Sequence, residues 1–352
     1  MIKKAIYKGS LFILIVMVIV VIINPVFIMK TQQRDKLVQG LYENTRDAYD
    51  VVFLGSSHMN AAINPNVLWN QYGITSYNYA TGGQPIEVTY YLLKEVLKNH
   101  KKPVVVVDIY YLGLTNEFGE EGYVRTVIDN MKFSKNKVEA IFKCTPRPHW
   151  LSYIFPIFKY HGRWNELSKK DLNFDTSGDY YLKGFGDNHK IYGKDNSADI
   201  TIEGMSEIPP KAEEYLYKII ELSKKEDFKL IFTNFPHDYT ITNTSNIWHK
   251  EPPKMYNKVS EIAKKNNIPY MDYFHKSDEL GFDFKADMND SSHMNIWGAN
   301  KVTAHIGKYL KENYELSDHR NDVKYAKWQE DYDYYLKTEK AAILKAEKAN
   351  NK

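Results

Sequence analysis

Two short motifs, far apart in the chain, carry residue types that could perform nucleophilic catalysis. They are residues 55–58 (GSSH) and residues 290–293 (DSSH). A serine hydroxyl is a useful nucleophile only when a nearby base accepts its proton. An aspartate three residues before a histidine can fold back, accept a hydrogen bond from the imidazole and fix its tautomer. We therefore predict Ser57 as nucleophile, His293 as base and Asp290 as the partner of that base.

Each motif is flanked by elements that could hold it at the edge of a sheet. The apolar run 51–54 (VVFL) predicts a buried strand that ends directly before Gly55. The second motif precedes an amphipathic helix predicted at 297–313. In open α/β sheets, ligands bind beyond the carboxyl ends of the strands, which is where Ser57 would lie. Gly55 permits an unusual backbone angle at the turn.

The rest of the central region repeats this alternation of apolar strands and helices. Further strands are predicted at 76–80, 103–108, 228–233 and 268–274, and helices at 86–99, 211–225 and 253–266. This rhythm predicts an α/β fold of three layers, with a parallel sheet covered by helices on both faces. We place this catalytic domain at 50–315. Residues 115–200 lack a clear strand and predict a mostly helical insertion.

The N-terminal residues are typical of a membrane anchor. Residues 1–10 contain three lysines, and residues 11–29 are apolar except for Asn24. Nineteen helical residues span roughly 28 Å, close to the thickness of a bilayer core. The positive-inside rule then puts residues 1–10 in the cytoplasm and the catalytic domain outside it. A cleaved signal peptide is the alternative, although no small-residue cleavage site follows the apolar run.

The segments on either side of the catalytic domain are polar. Residues 30–49 have a weak helical pattern and predict a juxtamembrane linker. Residues 316–352 are dominated by Lys, Glu, Asp, Tyr and Ala, and predict a charged tail that is either a solvated helix or partly disordered.

The composition argues against several classes of function. The net charge of +3, without a long basic block in the central region, gives no reason to expect nucleic acid as a partner. No phosphate-loop or dinucleotide motif is present, so we predict no cofactor. Three histidines outside the two motifs, His189, His249 and His305, show no metal-ligand spacing with Cys or acidic residues, and we predict no metal.

The motifs and their order resemble the SGNH/GDSL hydrolase superfamily over roughly residues 48–115 and 228–313. The first block of that superfamily corresponds to 55–57, and the last to Asp290 and His293. The second corresponds to 78–83 (NYATGG), with Ala80 in place of a glycine. The resemblance implies an SGNH-like fold and an oxyanion hole formed by the backbone N–H groups of Ser57 and Gly83. The third block, with its oxyanion asparagine, is not matched.

The chain is similar to a membrane-anchored subgroup of that superfamily, which includes the teichoic acid D-alanyl transfer protein and polysaccharide O-acetylation proteins. This resemblance implies a cell-wall or capsular polymer as substrate and a membrane-bound O-acyltransferase as partner. The predicted activity is acyl transfer to or from such polymers through an acyl-Ser57 intermediate. The alternatives are an esterase of the same chemistry and a non-catalytic polymer-binding or assembly protein.

Several polar and aromatic side chains are candidates for substrate binding. His58 follows the nucleophile, Asn78 lies in the second block, and Asn234 follows the strand predicted at 228–233. In the insertion, an aromatic ring beside a cation and an imidazole could bind a sugar or an anionic polymer; these residues are His161, Arg163 and Trp164. Loop or packing roles are alternatives for all of them.

Overall fold

A five-stranded parallel sheet forms the centre of the protein in the computed structural model, which describes residues 2–43, 49–100, 102–244 and 246–350. The strands are β1 (Val51–Leu54), β2 (Ser76–Asn78), β3 (Val104–Asp108), β4 (Lys229–Asn234) and β5 (Tyr270–Asp272). Their order across the sheet is β2-β1-β3-β4-β5, and every neighbouring pair is parallel. The predicted α/β fold with a parallel sheet is confirmed.

The helices alternate with these strands and extend beyond them at both ends of the chain. They are α1 (Ile2–Phe27), α2 (Gln32–Val38), α3 (Ser57–Ala62), α4 (Pro65–Tyr72), α5 (Ile86–Asn99), α6 (Glu121–Ile128), α7 (Lys135–Cys144), α8 (Trp150–Ile154), α9 (Ile157–Tyr160), α10 (Pro210–Glu226), α11 (Pro252–Lys265), α12 (Phe284–Asp287), α13 (Ile296–Asn313) and α14 (Ala326–Asn350).

The sheet is buried on both faces, because successive residues of a strand point into two separate cores. Val52 and Leu54 of β1 join one core, which α5, α10 and α11 cover. Val51 and Phe53 join the other, which α3, α4 and α13 cover. Strands that are buried on both sides need apolar side chains at every position, and this explains the uninterrupted apolar runs in the sequence.

The insertion is helical only in its first part. Helices α6 to α9 and several short 3₁₀ turns occupy it as far as Leu182. Residues 183–200 are irregular and cross the edge of the domain, which corrects the predicted helical character of that stretch. Gly184 explains part of the change, because its φ of 87° is unfavourable for other residues and its Cα packs against the backbone of Asn78.

The segment predicted as a juxtamembrane linker is part of the domain where it is described. Thr31 caps the start of α2, and Leu37 and Leu41 are buried in the core beneath α5. The hydroxyl of Tyr79 donates a hydrogen bond to the carbonyl oxygen of Gly40 (2.6 Å). The linker prediction is therefore corrected for residues 32–43, whose apolar side chains pack on aromatic side chains of the sheet edge. Residues 44–48 lie outside the described residues.

The C-terminal tail, predicted to be solvated or partly disordered, instead packs on the domain through α14. Tyr325, Trp328 and Tyr335 are buried, and the Trp328 ring lies 5.5 Å from that of Trp69. A buried ion pair between Lys183 and an aspartate of α14 adds a second attachment. The sequence pattern was misleading because the buried stripe consists of aromatic rather than aliphatic residues. Residues 351–352 lie outside the described residues.

Among the described residues, α1 alone is long and apolar enough to cross a membrane. It begins at Ile2, earlier than the predicted span of 11–29, and continues through Pro25 to Phe27. None of its residues is buried by the rest of the protein. A signal sequence near the N-terminus would share these features.

Truncation of the ring that attaches α14 should destabilise the whole domain. Trp328 is 2% exposed, and replacing a buried aromatic side chain by alanine costs about 3–5 kcal/mol. We expect Trp328→Ala to lower the Tm of the detergent-solubilised protein by about 6 °C or more in a thermal melt. Val323→Ala, at a site that is 88% exposed, is the matched control and should leave the Tm unchanged. Equal melting of the two variants would contradict the packing of α14.

Candidate active site

Ser57 lies at the carboxyl end of β1, on the turn that leads into α3. Gly55 has a φ of 147°, and a side chain there would overlap Asp108. Ser56 is the N-cap of α3, since its hydroxyl accepts a hydrogen bond from the N–H of His58 (3.3 Å). Ser57 is the first helical residue, so its own N–H is a first-turn donor without an intrahelical acceptor.

The carboxylate of Asp108, at the end of β3, fixes this turn through hydrogen bonds to Ser56. Its Oδ2 accepts hydrogen bonds from the hydroxyl of Ser56 (2.7 Å) and from the N–H of the same residue (3.2 Å). Its Oδ1 accepts a bond from the N–H of Tyr110 (3.0 Å). Burial raises the pKa of this carboxyl to about 6, against the effect of these donors. The position of the turn therefore depends on a carboxylate that binds the residue before Ser57.

The second motif forms a tight loop before α13. The loop is closed by a bridge between Met288 and Met294. Asn295 caps α13 and donates through its amide to the carbonyl oxygens of Ala286 and Met288. The loop that follows β4 also supports it, because the N–H of Asp238 donates to a carbonyl oxygen of the motif (2.7 Å).

The structure brings the three predicted catalytic side chains into one hydrogen-bonded chain. The hydroxyl of Ser57 lies 2.9 Å from Nε2 of His293, although the two residues are 236 positions apart. Nδ1 of His293 lies 3.0 and 3.1 Å from the two carboxylate oxygens of Asp290. With a proton on Nδ1 directed to the carboxylate, Nε2 is free to accept the serine proton, which is the order that general-base activation requires.

The surroundings of Asp290 favour the ionised form of its carboxyl group. Partial burial alone would raise its pKa, but the hydrogen bond and charge of His293 and two backbone donors outweigh it, so the pKa of the carboxyl lies below its usual range. Those donors are the N–H groups of Ser292 (2.8 Å) and His293 (2.9 Å). The same carboxylate thus shapes the loop and orients the imidazole.

The second block lies beside the nucleophile turn, as an oxyanion role for Gly83 requires. The N–H of Thr81 donates to the carbonyl oxygen of Gly55 (3.2 Å), which ties the two loops together. Gly83 has a φ of 59°, and any side chain there would overlap the ring of Tyr123. Its N–H and that of Ser57 remain the predicted oxyanion donors. β3 ends at Asp108 and is followed by Ile109, Tyr110 and Tyr111, so no asparagine directly follows it.

A cluster of aromatic rings lies against His293, the predicted base. His58 stacks on Tyr110 with ring centres 3.6 Å apart, and it lies 5.5 Å from His293 and 5.1 Å from His237. Burial lowers the pKa of His58 well below its usual value, and it lowers that of His237 to about 4. Both rings are therefore neutral at ordinary pH. His58 lies next to His293, as its place after Ser57 in the sequence predicts, but its side chain is buried rather than open to a substrate.

Two other candidates for substrate binding are structural. The amide of Asn78 donates to the carbonyl oxygens of Met59 and Ile63 (3.0 Å each), and its oxygen accepts the N–H of Ala80. It therefore fixes β2 to α3. Asn234 is completely buried at the end of β4, where no polymer could reach it. The substrate-binding prediction is corrected for Asn234, which is fully buried. The amide of Asn78 is bound to backbone carbonyl oxygens, although the residue also lines a cavity beside α3.

The three candidates in the insertion lie near the end of α1 rather than near Ser57. The guanidinium of Arg163 donates to the carbonyl oxygen of Phe27 (2.6 Å) and to the carboxylate of Asp171 (2.6 Å). A nitrogen of His161 bonds within its own turn, and Trp164 faces solvent. Among the described residues, no contact joins this group to the catalytic side chains. Its prediction as part of the substrate site is corrected.

One grouping of potential metal ligands arises that sequence spacing does not show. Asp187, His189 and Glu339 place one ligand atom each within 4.8 Å of one another. His189 bonds Glu339, and this bond raises the pKa of the imidazole. The contact joins the irregular part of the insertion to α14, and the ion pair between His189 and Glu339 accounts for it.

Comparisons with known proteins reveal similarity only at the level of three-dimensional structure. No family model matches the chain, and no curated protein matches it. Several solved structures are similar to it, including the following two. One is a Bacteroides fragilis protein provisionally described as an acylhydrolase, with a TM-score of 0.39 at 13% identity over 78% of this chain and 94% of that one. The other is a GDSL-like lipase of Bacteroides thetaiotaomicron, with a TM-score of 0.37 at 13% identity over 75% and 88%.

Loss of the negative charge of Asp290 should make His293 a weaker base while the imidazole keeps its position. Asp290→Asn keeps the acceptor for the loop N–H groups but presents an amide to Nδ1 of His293, which favours the wrong tautomer. We expect the rate of fluorophosphonate labelling to fall by roughly 10²–10⁴-fold, with an unchanged Tm. A labelling rate within a few fold of the wild type would show that Asp290 does not orient the base.

The two adjacent serines should respond differently to the same substitution. Ser56→Ala removes a helix cap and a hydrogen bond to buried Asp108, so we expect a loss of stability of about 1–3 kcal/mol. Because Ser57 keeps its hydroxyl, labelling of Ser56→Ala should fall less than about tenfold. Thermal melts and labelling time courses would measure both effects. Complete loss of labelling in a folded Ser56→Ala protein would show that Ser56, and not Ser57, is the nucleophile.

Proposed function

We propose that the chain is a serine acyltransferase, which moves an acyl group to or from a hydroxyl of a cell-surface polymer outside the cytoplasm. The observation that carries this proposal is the 2.9 Å contact between the Ser57 hydroxyl and a histidine oriented by Asp290. Such an arrangement activates a hydroxyl for attack on an ester or thioester carbonyl.

In the first half of the reaction, Ser57 becomes acylated. Its Oγ attacks the carbonyl carbon of the acyl donor while Nε2 of His293 accepts the hydroxyl proton. The backbone N–H groups of Ser57 and Gly83 stabilise the negative oxygen of the tetrahedral intermediate. The donor's C–O or C–S bond then breaks, and His293 returns the proton to the leaving group.

In the second half, an acceptor hydroxyl takes the place of the leaving group. Nε2 of His293 removes its proton, its oxygen attacks the acyl-Ser57 carbonyl, and Ser57 regains its proton as the new ester leaves. If water attacks instead, the product is a free acid and the same site acts as an esterase. The protein groups involved are identical, so the outcome depends on what binds beside the nucleophile.

A polar cavity next to α3, with Asn60 but not Ser57 in its lining, carries groups that suit a hydroxyl-rich acceptor. Its volume is about 210 Å³, and it is bounded by the nucleophile helix, the second block and α2. Asn60, one helical turn beyond Ser57, lines it together with Gln33, Thr81 and Asp187. Amide, hydroxyl and carboxylate groups are the partners that sugar or polyol hydroxyls require.

The location of the reaction follows from α1 in this proposal. With α1 as an uncleaved anchor, Lys3, Lys4 and Lys8 lie on the cytoplasmic side and the catalytic domain lies on the other. An anchored domain meets polymers of the cell surface, and a membrane-bound O-acyltransferase could supply its acyl groups. These polymers, that partner and the topology are parts of the proposal.

The decisive experiment is covalent labelling of the full-length protein in detergent. A fluorophosphonate should label the wild type, and Ser57→Ala should abolish the label, because Ser57 carries the hydroxyl that is hydrogen-bonded to His293 among the described residues. Ser56→Ala is the matched control, since it changes the neighbouring hydroxyl. Undiminished labelling of Ser57→Ala would disprove the nucleophile, and no labelling of the folded wild type would favour the non-catalytic alternative.

A further inference from the structure

The insertion holds the outer end of α1 through specific contacts. The backbone N–H of Ile157 donates to the side-chain oxygen of Asn24 (2.9 Å), and the guanidinium of Arg163 donates to the carbonyl oxygen of Phe27 (2.6 Å). We call residues 150–174, which supply these contacts, the collar. These two bonds tie the collar to the last turns of α1, one through the short side chain of Asn24 and one through the guanidinium of Arg163.

Beside these contacts, large apolar side chains of the collar face solvent. Phe158 and Trp164 each directly follow a residue that bonds to α1, and Leu172 directly follows the aspartate that pairs with Arg163. Trp164 is 73% exposed and Leu172 is 64% exposed. Single exposed apolar residues are common on soluble proteins, but several around one helix end form a surface that water does not favour.

The length of α1 predicts that this surface lies at the outer boundary of a bilayer. From Lys8 to Phe27 the helix rises about 28 Å, close to one hydrocarbon thickness. With Lys8 at the inner boundary, the bonds from Arg163 lie at the outer boundary. Trp164 then lies at the depth where tryptophan is enriched in membrane proteins, with its ring in the boundary layer and its N–H toward water.

The charges of the collar also suit a headgroup layer. Between residues 150 and 174 there are four basic side chains and two acidic ones. Lys30 lies beside the collar, with its ammonium 4.9 Å from the ring centre of Phe174. Basic groups next to apolar rings match a surface that combines anionic headgroups with acyl chains.

We propose that the collar is a lipid-contacting surface, which inserts Phe158, Trp164 and Leu172 into the outer boundary of the bilayer around α1. This inference rests on the part of the proposed function that puts α1 across a membrane. The collar and the anchor together fix the tilt of the catalytic domain, because a helix alone leaves the domain free to lean. The basic and aromatic group at 161–164 is thus assigned to the bilayer.

Site-specific probes in the full-length protein can measure the environment of the collar. The chain has one cysteine, Cys144, which is buried and whose thiol pKa is raised by burial, so the wild type serves as the labelling blank. Trp164→Cys and Leu172→Cys would each carry an environment-sensitive nitrobenzoxadiazole label. The labelled proteins would be reconstituted in vesicles of phosphatidylcholine and phosphatidylglycerol, with and without lipids that carry a quencher near the headgroup.

We expect both collar labels to emit at shorter wavelength than a water-exposed label and to be quenched at least about twofold by those lipids. Ile13→Cys, in the middle of α1, is the positive control, and Val323→Cys, exposed on the far C-terminal segment, is the negative control. Fluorophosphonate labelling of each variant checks that the fold is intact. Collar labels that behave like the one at Val323, while Ile13 is buried in lipid, would overturn the collar alone. A water-exposed label at Ile13 would overturn both collar and anchor.

Discussion

The buried carboxylate of Asp108 is the group on which the geometry of the turn that carries Ser57 depends. The register of β1 and β3 pairs Leu54 with Val107, so the next residue of each strand, Gly55 and Asp108, must meet beyond the ladder. A glycine is the one residue that leaves space for the carboxylate there. Asp108 can then bind both the hydroxyl and the N–H of Ser56, which fixes the first turn of α3.

The fixed first turn of α3 determines the position of Ser57, and a second loop determines the position of His293. Ser57 comes one residue after the group that Asp108 holds, so the direction of its hydroxyl is set by the start of the helix. The base arrives on an independent loop, and Asn295, Asp238 and the bridge at Met288 all constrain that loop. Two loops that are each rigid for their own reasons can meet at hydrogen-bond distance without a conformational change, and preorganisation of this kind favours catalysis.

The sequence predicted those parts of the structure whose chemistry is local. Continuous apolar runs identified β1 and β3, and short motifs identified Ser57, Asp290 and His293 before any geometry was known. The role of Asp108 was missed because it depends on strand register, which no spacing within the motif reveals. Its position directly after an apolar run was the available signal. The contact of His237 with His58 could not be predicted either, since it is made between loops of different strands.

Predictions failed mainly where aromatic side chains take the place of aliphatic ones. Trp328 and Tyr335 bury a helix that looked solvated, because tyrosine-rich stripes resemble polar surface in a simple hydrophobic pattern. The prediction of a linker at residues 30–49 was wrong for a related reason. Its few aliphatic residues, Leu37 and Leu41, pack on the tyrosines of β2 and of the loop after it. The abundance of tyrosine, which composition alone could not interpret, therefore supplies much of the packing at both ends of the chain.

The packing of α2 on the domain has a consequence for how an anchored enzyme would encounter its substrates. A flexible tether lets a catalytic domain sample many heights above a bilayer and meet material throughout a volume. Here α2 follows α1 after a few residues, and Leu37 is already in the core. For a chain anchored as proposed, Ser57 would move with the lipids at nearly constant height and explore a thin layer parallel to the membrane. Polymer segments would be selected by their distance from the bilayer before any binding pocket distinguished their chemistry.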